Sequence, residues 1–464
     1  MDREPLYKTK EEVLKKAKSA NGHYIFEYNV NNRKIDNNKG VIGQIIEEGL
    51  FGYSINNRAE PDFEQLGIEL KVTAVKALEN KNYVAKERLV LNLIDYYVEG
   101  ETDFEHSSFW NKNKNLLVMF YLYEEGMPLD QCQIVDSVLY KYPAEDLKII
   151  KDDWEKINNR INKGEAHLIS EADTMYLAAC TKGENGQALR FQPHSDIKAK
   201  QRAFCLKPSY LNRIIHLHDI NKAAEKLANF ESLKDKTFEV AINSAFSKYK
   251  GMSESALKKE FGIESSSKNC FETISSKILN LKGKMNKSEE FLKGNVVAKT
   301  IRVEEKGTIK ESMSFPNFEF VKLANETWED SELREIFYGT KFLFIVYKKH
   351  GDEYCFDRVK FWNMPVDILD TKVKEVWEKT KEVILSGNIV DNVYVGNDGL
   401  TKNKTNFPGL GFNGVCHVRP HAKNAEDAYL LPKPDNLTGM VKYTKQCFWL
   451  NASFIKSIIE EKWI

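Results

Sequence analysis

Residues 60–72 read Glu60-Pro61-Asp62-Phe63-Glu64-Gln65-Leu66-Gly67-Ile68-Glu69-Leu70-Lys71-Val72, and this stretch decides how the first part of the chain folds. The Pro61-Asp62 step and Gly67 are typical of a turn. The residues after Gly67 alternate apolar and charged side chains, which indicates a β-strand. The sequence therefore predicts a turn that leads into a core strand.

Three charged side chains of this stretch are expected to converge. Glu69 and Lys71 are two apart on the predicted strand, so they leave the same face, while Leu70 points the other way. The turn would bring Asp62 back beside Glu69. Two carboxylates suit Mg²⁺, which takes one or two of them together with waters and phosphate oxygens. A lysine there could orient or deprotonate a water that attacks phosphorus.

The D-x6-E-x-K spacing has a second interpretation. An E-x-K pair on an exposed strand face is common, and the full pattern also arises by chance in long proteins. The apolar residues Ile68, Leu70 and Val72 favour a core strand, where charged groups need compensation. The residues alone leave both interpretations open.

An internal repeat organises the chain. Residues 204–215 are similar to 448–459, and Trp154-Glu155-Lys156 is similar to Trp377-Glu378-Lys379. Gln192-Pro193-His194 aligns with Arg419-Pro420-His421, and a lysine before an apolar run occurs at Lys114 and at Lys341. These matches follow one another in the same order, which predicts two copies of one domain.

We expect a mixed α/β (α+β) fold with two tandem domains, residues 1–220 and 235–464, each with a mixed central sheet flanked by helices. Within the first copy, helices are predicted at 10–18, 41–50, 152–162 and 208–215. Strands are predicted at 67–75, 87–96 and 116–123.

Composition restricts the class of protein. The chain of 464 residues has 68 basic and 68 acidic residues, so its formal net charge is zero. Neutrality disfavours an overall basic DNA-binding domain but leaves room for a basic face. The seven cysteines are scattered without a CxxC pair, which argues against a zinc site or a disulfide framework. With no secretory signal and no apolar run of about 18 residues, we expect a cytoplasmic protein away from membranes.

Several motifs resemble a known family. Gly40-Val41-Ile42-Gly43-Gln44-Ile45-Ile46-Glu47, Asp62-Phe63 and Leu66-Gly67-Ile68-Glu69-Leu70-Lys71 are similar to the MutH mismatch-repair nuclease and to the Sau-type restriction endonucleases that cut GATC. Residues 86–92, 195–204, 278–284 and 417–421 also look like the Sau-type enzymes. That likeness spans nearly the whole chain and includes the duplication, whereas MutH resembles a single copy.

The resemblance implies roles for particular residues. It makes Asp62, Glu69 and Leu70 the ligands of Mg²⁺ and Lys71 the catalytic lysine. Glu47 corresponds to an additional acidic residue, with the neighbouring Glu48 as the other possible register. The second lysine of the active site corresponds to Lys114, which by itself would be interpreted as a solvated strand-edge lysine, and Glu87 corresponds to a glutamate near the DNA.

DNA contacts are also implied. In MutH an Arg-Pro step contributes to reading GATC, and here it is Arg419-Pro420, followed by His421. The first copy has Gln192-Pro193 with Arg190 nearby, so either Arg190 takes this role or the second copy reads DNA independently. A basic stripe is predicted to contact phosphates, or alternatively to be a solvated face; its residues are Lys198, Lys200, Arg202, Lys207 and Arg213.

The second copy is expected to lack catalysis. Aligning Asp62 with Glu290 puts Val297 where Glu69 stands and Lys299 where Lys71 stands, and a valine cannot hold a metal. The resemblance implies an inactive domain that binds a second DNA site and acts allosterically; the alternative is a structural brace.

The expected function is therefore a Mg²⁺-dependent type II restriction endonuclease of a restriction-modification system, which cuts double-stranded GATC and leaves 5′-phosphates. Because one active copy makes one cut, we expect a monomer in solution and a transient dimer on DNA. The alternatives are a MutH-like mismatch-repair nicking enzyme and a non-catalytic DNA-binding protein.

Overall fold

Helices alternate with strands along the chain. The computed structural model describes residues 6–35, 40–55, 59–78, 82–124, 126–182, 188–215, 224–227, 237–264, 270–396 and 399–461. The helices are α1 Lys10–Lys18, α2 Gly40–Gly49, α3 Tyr96–Gly100, α4 Ser108–Asn113, α5 Ala144–Asn162, α6 Pro208–Ile215, α7 Phe238–Ser247, α8 Glu254–Phe261, α9 Cys270–Ile278, α10 Glu289–Lys293, α11 Phe320–Asn325, α12 Glu332–Gly339, α13 Val366–Ile368, α14 Lys374–Ser386 and α15 Ala452–Glu460.

The strands are β1 Glu69–Ala77, β2 Tyr83–Ala85, β3 Leu89–Leu93, β4 Asn115–Leu122, β5 Ile134–Lys141, β6 Leu177–Thr181, β7 Leu189–Gln192, β8 Ser195–Lys200, β9 Arg202–Leu206, β10 Val296–Val303, β11 Met313–Phe318, β12 Lys341–His350, β13 Glu353–Trp362, β14 Val390–Val395, β15 Thr401–Thr405, β16 Cys416–Pro420, β17 Ala428–Leu430, β18 Lys442–Thr444 and β19 Gln446–Leu450. The helices and strands predicted in the first copy are present as α1, α2, α5, α6, β1, β3 and β4. Helix α5 begins earlier than predicted, directly after Pro143, because proline suits a helix start.

The chain divides into two units. The first unit comprises Met1–Ala241 and Asn280–Val296, and the second comprises Ile242–Leu279 and Val297–Ile464. The chain therefore passes between the units more than once. The junction predicted between residues 220 and 235 lies largely outside the described residues, and the domain bounds stay a prediction.

Two sheets form the framework of the first unit. The larger sheet has the order β2-β1-β4-β5, in which β1 runs parallel to β4 with Glu69 opposite Leu116 and Lys71 opposite Val118. Strand β4 is buried over almost its whole length, as expected for a strand covered on both faces. Ile42, Ile45 and Ile46 recur on one side of α2, which is the spacing of a buried helical face, and they belong to the same core cluster as Leu70 of β1. The smaller sheet is antiparallel with the order β3-β9-β6, and β7 and β8 form a separate hairpin.

The second unit repeats this strand order. Its sheets are β10-β12-β13 and β11-β19-β16, which match β1-β4-β5 and β3-β9-β6 of the first unit. The β17-β18 hairpin lies between β16 and β19, as β7-β8 lies between β6 and β9, and the described part of the second unit has one further hairpin, β14-β15. The mixed α and β class is confirmed, and the repeated order agrees with a duplicated fold.

One part of the repeat alignment is wrong. Arg419-Pro420 lies on β16, where Arg419 pairs with Cys447 of β19. In the first unit the corresponding pairing joins Cys180 of β6 to Ala203 of β9, because residues 204–215 align with 448–459. Cys180 therefore stands opposite Arg419 in the repeat, whereas Gln192-Pro193 belongs to the β7-β8 hairpin. A three-residue match was too short to fix the register.

The composition also led to expectations about membrane spans and about the cysteines. No helix in the described part of the chain is long and apolar enough to cross a membrane. The cysteines are free thiols, and all of them except Cys355 are buried.

A buried aspartate holds α5 against the smaller sheet. The carboxylate of Asp153 accepts hydrogen bonds from the main-chain N–H groups of Met175, Tyr176 and Leu177 at 2.7, 2.6 and 3.0 Å. All three donors belong to buried residues at the start of β6. The side chain thus satisfies main-chain groups that water cannot reach.

We predict that Asp153→Ala lowers the free energy of unfolding by about 3 kcal/mol or more, because each buried donor left unpaired costs about 1–3 kcal/mol. Urea denaturation followed by circular dichroism measures this change. Glu155→Ala, an exposed acid on the same helix, is the control and should change the value by less than about 0.5 kcal/mol. Equal effects of the two substitutions would contradict the role of Asp153.

Candidate active site

A tight turn positions the first carboxylate. Residues Glu64–Leu66 form a 3₁₀ turn that ends at Gly67, whose φ of 60° is left-handed, a conformation that glycine adopts without strain. Phe63 and Ile68 bridge across this turn. As a result Oδ2 of Asp62 accepts the N–H of Leu70 at 2.9 Å, and the N–H of Asp62 donates to Oε2 of Glu69 at 3.3 Å.

The lysine of the motif joins the two sheets. Nζ of Lys71 donates to Oε1 of Glu69 and to the main-chain oxygen of Leu91 on β3, both at 2.8 Å. Glu69 is only 3% exposed. The spacing predicted that Asp62, Glu69 and Lys71 would meet, and the structure brings them together; their catalytic roles stay a prediction.

Helix α2 adds a third carboxylate. Burial, followed by the charges of Asp62 and Glu69, raises the pKa of Glu47 to about 7. Burial also raises the pKa of Glu69, against the opposing effect of Lys71. Both shifts follow from placing several acids together in a partly desolvated site.

The two neighbouring glutamates of α2 differ in their partners, and the catalytic role of Glu47 stays a prediction. Glu48 accepts two hydrogen bonds from the guanidinium of Arg33 at 2.7 and 2.8 Å, which lower its pKa to about 2. Its carboxylate is therefore occupied by Arg33, whereas the charge of Glu47 interacts with Asp62 and Glu69. Of the two glutamates, Glu47 is the one at the site.

A second lysine beside the Glu69 carboxylate is Lys112, whereas the catalytic role expected for Lys114 stays a prediction. Nζ of Lys112 lies 3.7 Å from Oε1 of Glu69, while Lys114 follows the end of α4 and is exposed. Asn113 fixes this helix end, since it donates to Oδ1 of Asn92 at 2.8 Å. The K-x-K pair in the sequence offered both lysines equally, and only the position of α4 distinguishes them.

The donor set fits a hydrated magnesium ion. No group of three His, Cys, Asp or Glu side chains in the described ranges forms a metal cage. Asp62 and Glu69 supply two carboxylates, and Leu70 can contribute only its main-chain oxygen. The N–H of Leu70 points to Asp62, and the C=O of a strand residue points to the same side as its N–H. Two carboxylates and one carbonyl, completed by water and phosphate, are a donor set that Mg²⁺ accepts.

The other predicted DNA contacts lie at several places. Arg190, Lys198 and Lys200 are exposed on the β7-β8 hairpin, and Glu87 is half-buried between β2 and β3. In the second unit Arg419, Pro420 and His421 are exposed. The guanidinium of Arg419 lies 3.7 Å from the ring centre of Trp449, and His421 packs edge-on against the same ring at 5.5 Å.

Two members of the predicted basic stripe are internal. Arg202 is 4% and Lys207 is 2% exposed. Arg202 donates to the main-chain oxygens of Ala179 and Ile169, and Lys207 donates to that of Thr174 at 2.6 Å. Their charged groups bind buried main-chain carbonyl oxygens, so the structure contradicts a phosphate-contacting role for these two residues.

Comparison with known proteins identifies the family. The model of the DNA mismatch repair enzyme MutH matches residues 51–153. The type II restriction enzyme Sau3AI of Staphylococcus aureus is 39% identical over 492 aligned positions, which cover 98% of this chain and 99% of that protein. The chain belongs to the Sau3AI family of type II restriction enzymes. The predicted kinship with MutH and the Sau-type enzymes is confirmed.

MutH proteins are also similar to this chain, but they match a smaller part of it. MutH of Shewanella woodyi is 34% identical over 155 positions, which are 32% of this chain and 63% of that protein. MutH of Shigella flexneri is 27% identical over 223 positions, 46% of this chain and 94% of that protein. As a restriction-endonuclease homologue of the Sau3AI family, the chain is a nuclease, and Asp62, Glu69, Lys71 and Lys112 fall inside the MutH match.

We predict that Lys112→Ala lowers kcat for DNA cleavage by about 100-fold or more, because it removes a positive charge beside the carboxylates where a phosphate would react. Lys114→Ala, two residues away and exposed, is the matched control and should keep the rate within about threefold. Single-turnover cleavage of a labelled duplex measures both. A larger loss in Lys114→Ala would contradict the assignment of Lys112.

Proposed function

We propose that this nuclease is a Mg²⁺-dependent type II restriction endonuclease that recognises GATC in double-stranded DNA and leaves 5′-phosphates. The observation that carries the proposal is the meeting of the half-buried Asp62 and Lys71 with the buried Glu69. GATC is supported by the motifs shared with MutH and the Sau-type enzymes, and the full-length similarity to a restriction enzyme supports autonomous cutting.

Asp62, Glu69 and the carbonyl of Leu70 would hold the Mg²⁺. When bound, the ion would polarise the scissile phosphate and offset charge on the leaving oxygen. Lys71 is fixed by Glu69 and by the Leu91 carbonyl, so its ammonium is oriented before substrate arrives. From this position it can donate a hydrogen bond to the attacking water or to a phosphate oxygen, and little rearrangement is needed during the reaction.

Glu47 is placed to move a proton. Burial and the charges of Asp62 and Glu69 raise its pKa to about 7, and a carboxyl group with a pKa near neutrality would suit general acid–base catalysis. Lys112 contributes a second positive charge beside Oε1 of Glu69, the oxygen that Lys71 also contacts. Glu47 and Lys112 therefore add a carboxyl group and an ammonium group to the D-x6-E-x-K residues, although α2 and α4 lie outside that segment of the sequence.

Cleavage is assigned to the first unit alone. In the second unit β10 carries Val297 and Lys299 at the aligned positions, and burial lowers the pKa of Lys299. Glu290, aligned with Asp62, accepts the N–H of Leu227 at 3.2 and 3.3 Å within the first unit. One complete site per chain makes one cut, so cleavage of both strands of a palindrome takes two chains, which supports a monomer that dimerises transiently on DNA.

We predict that Glu69→Ala abolishes cleavage of a GATC plasmid in Mg²⁺ while its affinity for a GATC duplex in gel shifts survives, because the change removes a metal ligand and leaves the DNA-contacting surface in place. Glu105→Ala, an exposed acid of the same unit that pairs with Lys151, should cut at the wild-type rate. End mapping of the wild-type products should show breaks in both strands at GATC with 5′-phosphates.

Two outcomes of this experiment would count against the proposal. Full cleavage by Glu69→Ala would remove the assigned active site. Wild-type products nicked in one strand only would favour the MutH-like mismatch-repair nicking enzyme.

We further propose that the second unit binds another DNA site and stimulates the first allosterically. Support comes from the exposed group formed by Arg419 and His421 around Trp449, which joins a cation to an aromatic face, as nucleic-acid sites commonly do. Occupying two sites would raise the effective concentration of the catalytic unit near DNA. The alternative is a structural brace for the first unit.

We predict that wild-type protein cuts a plasmid with two GATC sites several-fold faster per site than a plasmid with one, and that Arg419→Ala removes this difference. Arg302→Ala, an exposed arginine of the same unit paired with Glu311, should preserve it. Initial cleavage rates measure the effect. A lower Tm of Arg419→Ala with an unchanged two-site preference would indicate a brace.

A further inference from the structure

The β7-β8 hairpin exposes large apolar side chains. Leu189, Phe191 and Ile197 are 51%, 63% and 57% exposed, although they lie within twelve consecutive residues of ordered strand and turn. Scattered exposed apolar residues are ordinary, but Leu189 and Phe191 are two residues apart on β7 and so share one face of the ribbon.

The hairpin is held firmly at both ends. At its base, the N–H of Gln201 donates to the Ala188 oxygen at 2.7 Å. At its turn, Oε1 of Gln192 accepts the N–H of Ala166 at 2.7 Å, and the hydroxyl of Tyr97 donates to the Gln192 oxygen at 3.2 Å. Gln192 and Ala199 are buried. One face of the ribbon therefore packs onto the first unit and the other faces outward.

The outward face combines apolar and basic groups. Leu189 pairs across the ribbon with Lys200, and Nζ of Lys198 lies 4.4 Å from the ring centre of Phe191. Asp196 is the acidic residue of the hairpin, whereas Arg190 pairs across the ribbon with the buried Ala199 and therefore leaves the opposite face. This excess of positive charge suits a polyanion better than an ordinary protein surface.

The hairpin also begins close to the candidate active site. The Leu91 oxygen on β3 anchors Lys71, and two residues further along β3, Leu93 pairs with Ala203 of β9. Two residues of strand span about 7 Å, and β9 is entered directly from the hairpin. A duplex whose phosphate lies at Lys71 would therefore have neighbouring base pairs within reach of the ribbon.

We propose that the outward face of the β7-β8 hairpin enters the major groove of the DNA substrate and takes part in sequence recognition through Phe191 and Leu189. A two-stranded ribbon fits that groove, where apolar side chains contact base edges and thymine methyl groups. Lys198 and Lys200 contact phosphates, which position the ribbon without reading sequence. This assignment rests on the proposed DNA-cleaving function and adds residues that specify the site.

The test measures binding without metal, so that no DNA is cut. Fluorescence anisotropy at several salt concentrations compares a GATC duplex with a scrambled duplex. Leu189→Ser/Phe191→Ser should weaken binding to the GATC duplex about tenfold and leave binding to the scrambled duplex unchanged. Lys198→Gln/Lys200→Gln should weaken both and reduce the salt slope by roughly one per lysine.

Phe26→Ser is the matched control, because Phe26 is an exposed phenylalanine of the same unit at 53%; it should change neither affinity. Equal Tm values would show that the variants fold. An unchanged preference for GATC in Leu189→Ser/Phe191→Ser would overturn the assignment, as would a variant that changes only self-association in sedimentation equilibrium. Wild-type protein that neither prefers nor cuts GATC would remove the proposed function as well.

Discussion

The burial of the Glu69 carboxylate is the constraint on which the candidate active site depends. Taking an isolated carboxylate out of water costs several kcal/mol unless charges and hydrogen bonds compensate it. Here the ammonium of Lys71 at 2.8 Å and the N–H of Asp62 at 3.3 Å provide that compensation. The pKa of Glu69 nevertheless stays raised, because burial outweighs these contacts and the negative charge of Asp62 acts in the same direction. The residual excess of acid is what a divalent cation would neutralise.

The same constraint links the architecture of the first unit to its chemistry. Lys71 can hold Glu69 in place only because its ammonium also binds the Leu91 oxygen on β3, so the two sheets of the unit meet at the site. The parallel pairing of β1 with the buried strand β4 fixes the main chain beneath these groups. Helix α4 brings Lys112, and α2 brings Glu47. The site is therefore built from rigid elements, as preorganised catalysis requires.

The sequence predicted the parts of this arrangement that depend on local geometry. The period of two along a strand placed Glu69 and Lys71 on one face, and helical spacing located α6. Residues whose position depends on tertiary packing were not predictable in this way. Arg202 and Lys207 are of types usually found at the surface, yet they bind buried carbonyls. The choice between Lys112 and Lys114 likewise depends on where α4 ends.

The second unit has no carboxylate at the position that aligns with Glu69. It keeps the strand orders of the first unit, but an apolar side chain, Val297, aligns with Glu69. The lysine that would have paired with that acid is still present as Lys299, and burial lowers its pKa, opposed only in part by Glu272. Burial of a lysine without a carboxylate at the aligned position disfavours its charged form, which is a cost to the stability of the folded unit. The fold tolerates this cost, which agrees with the proposal that cleavage belongs to the first unit alone.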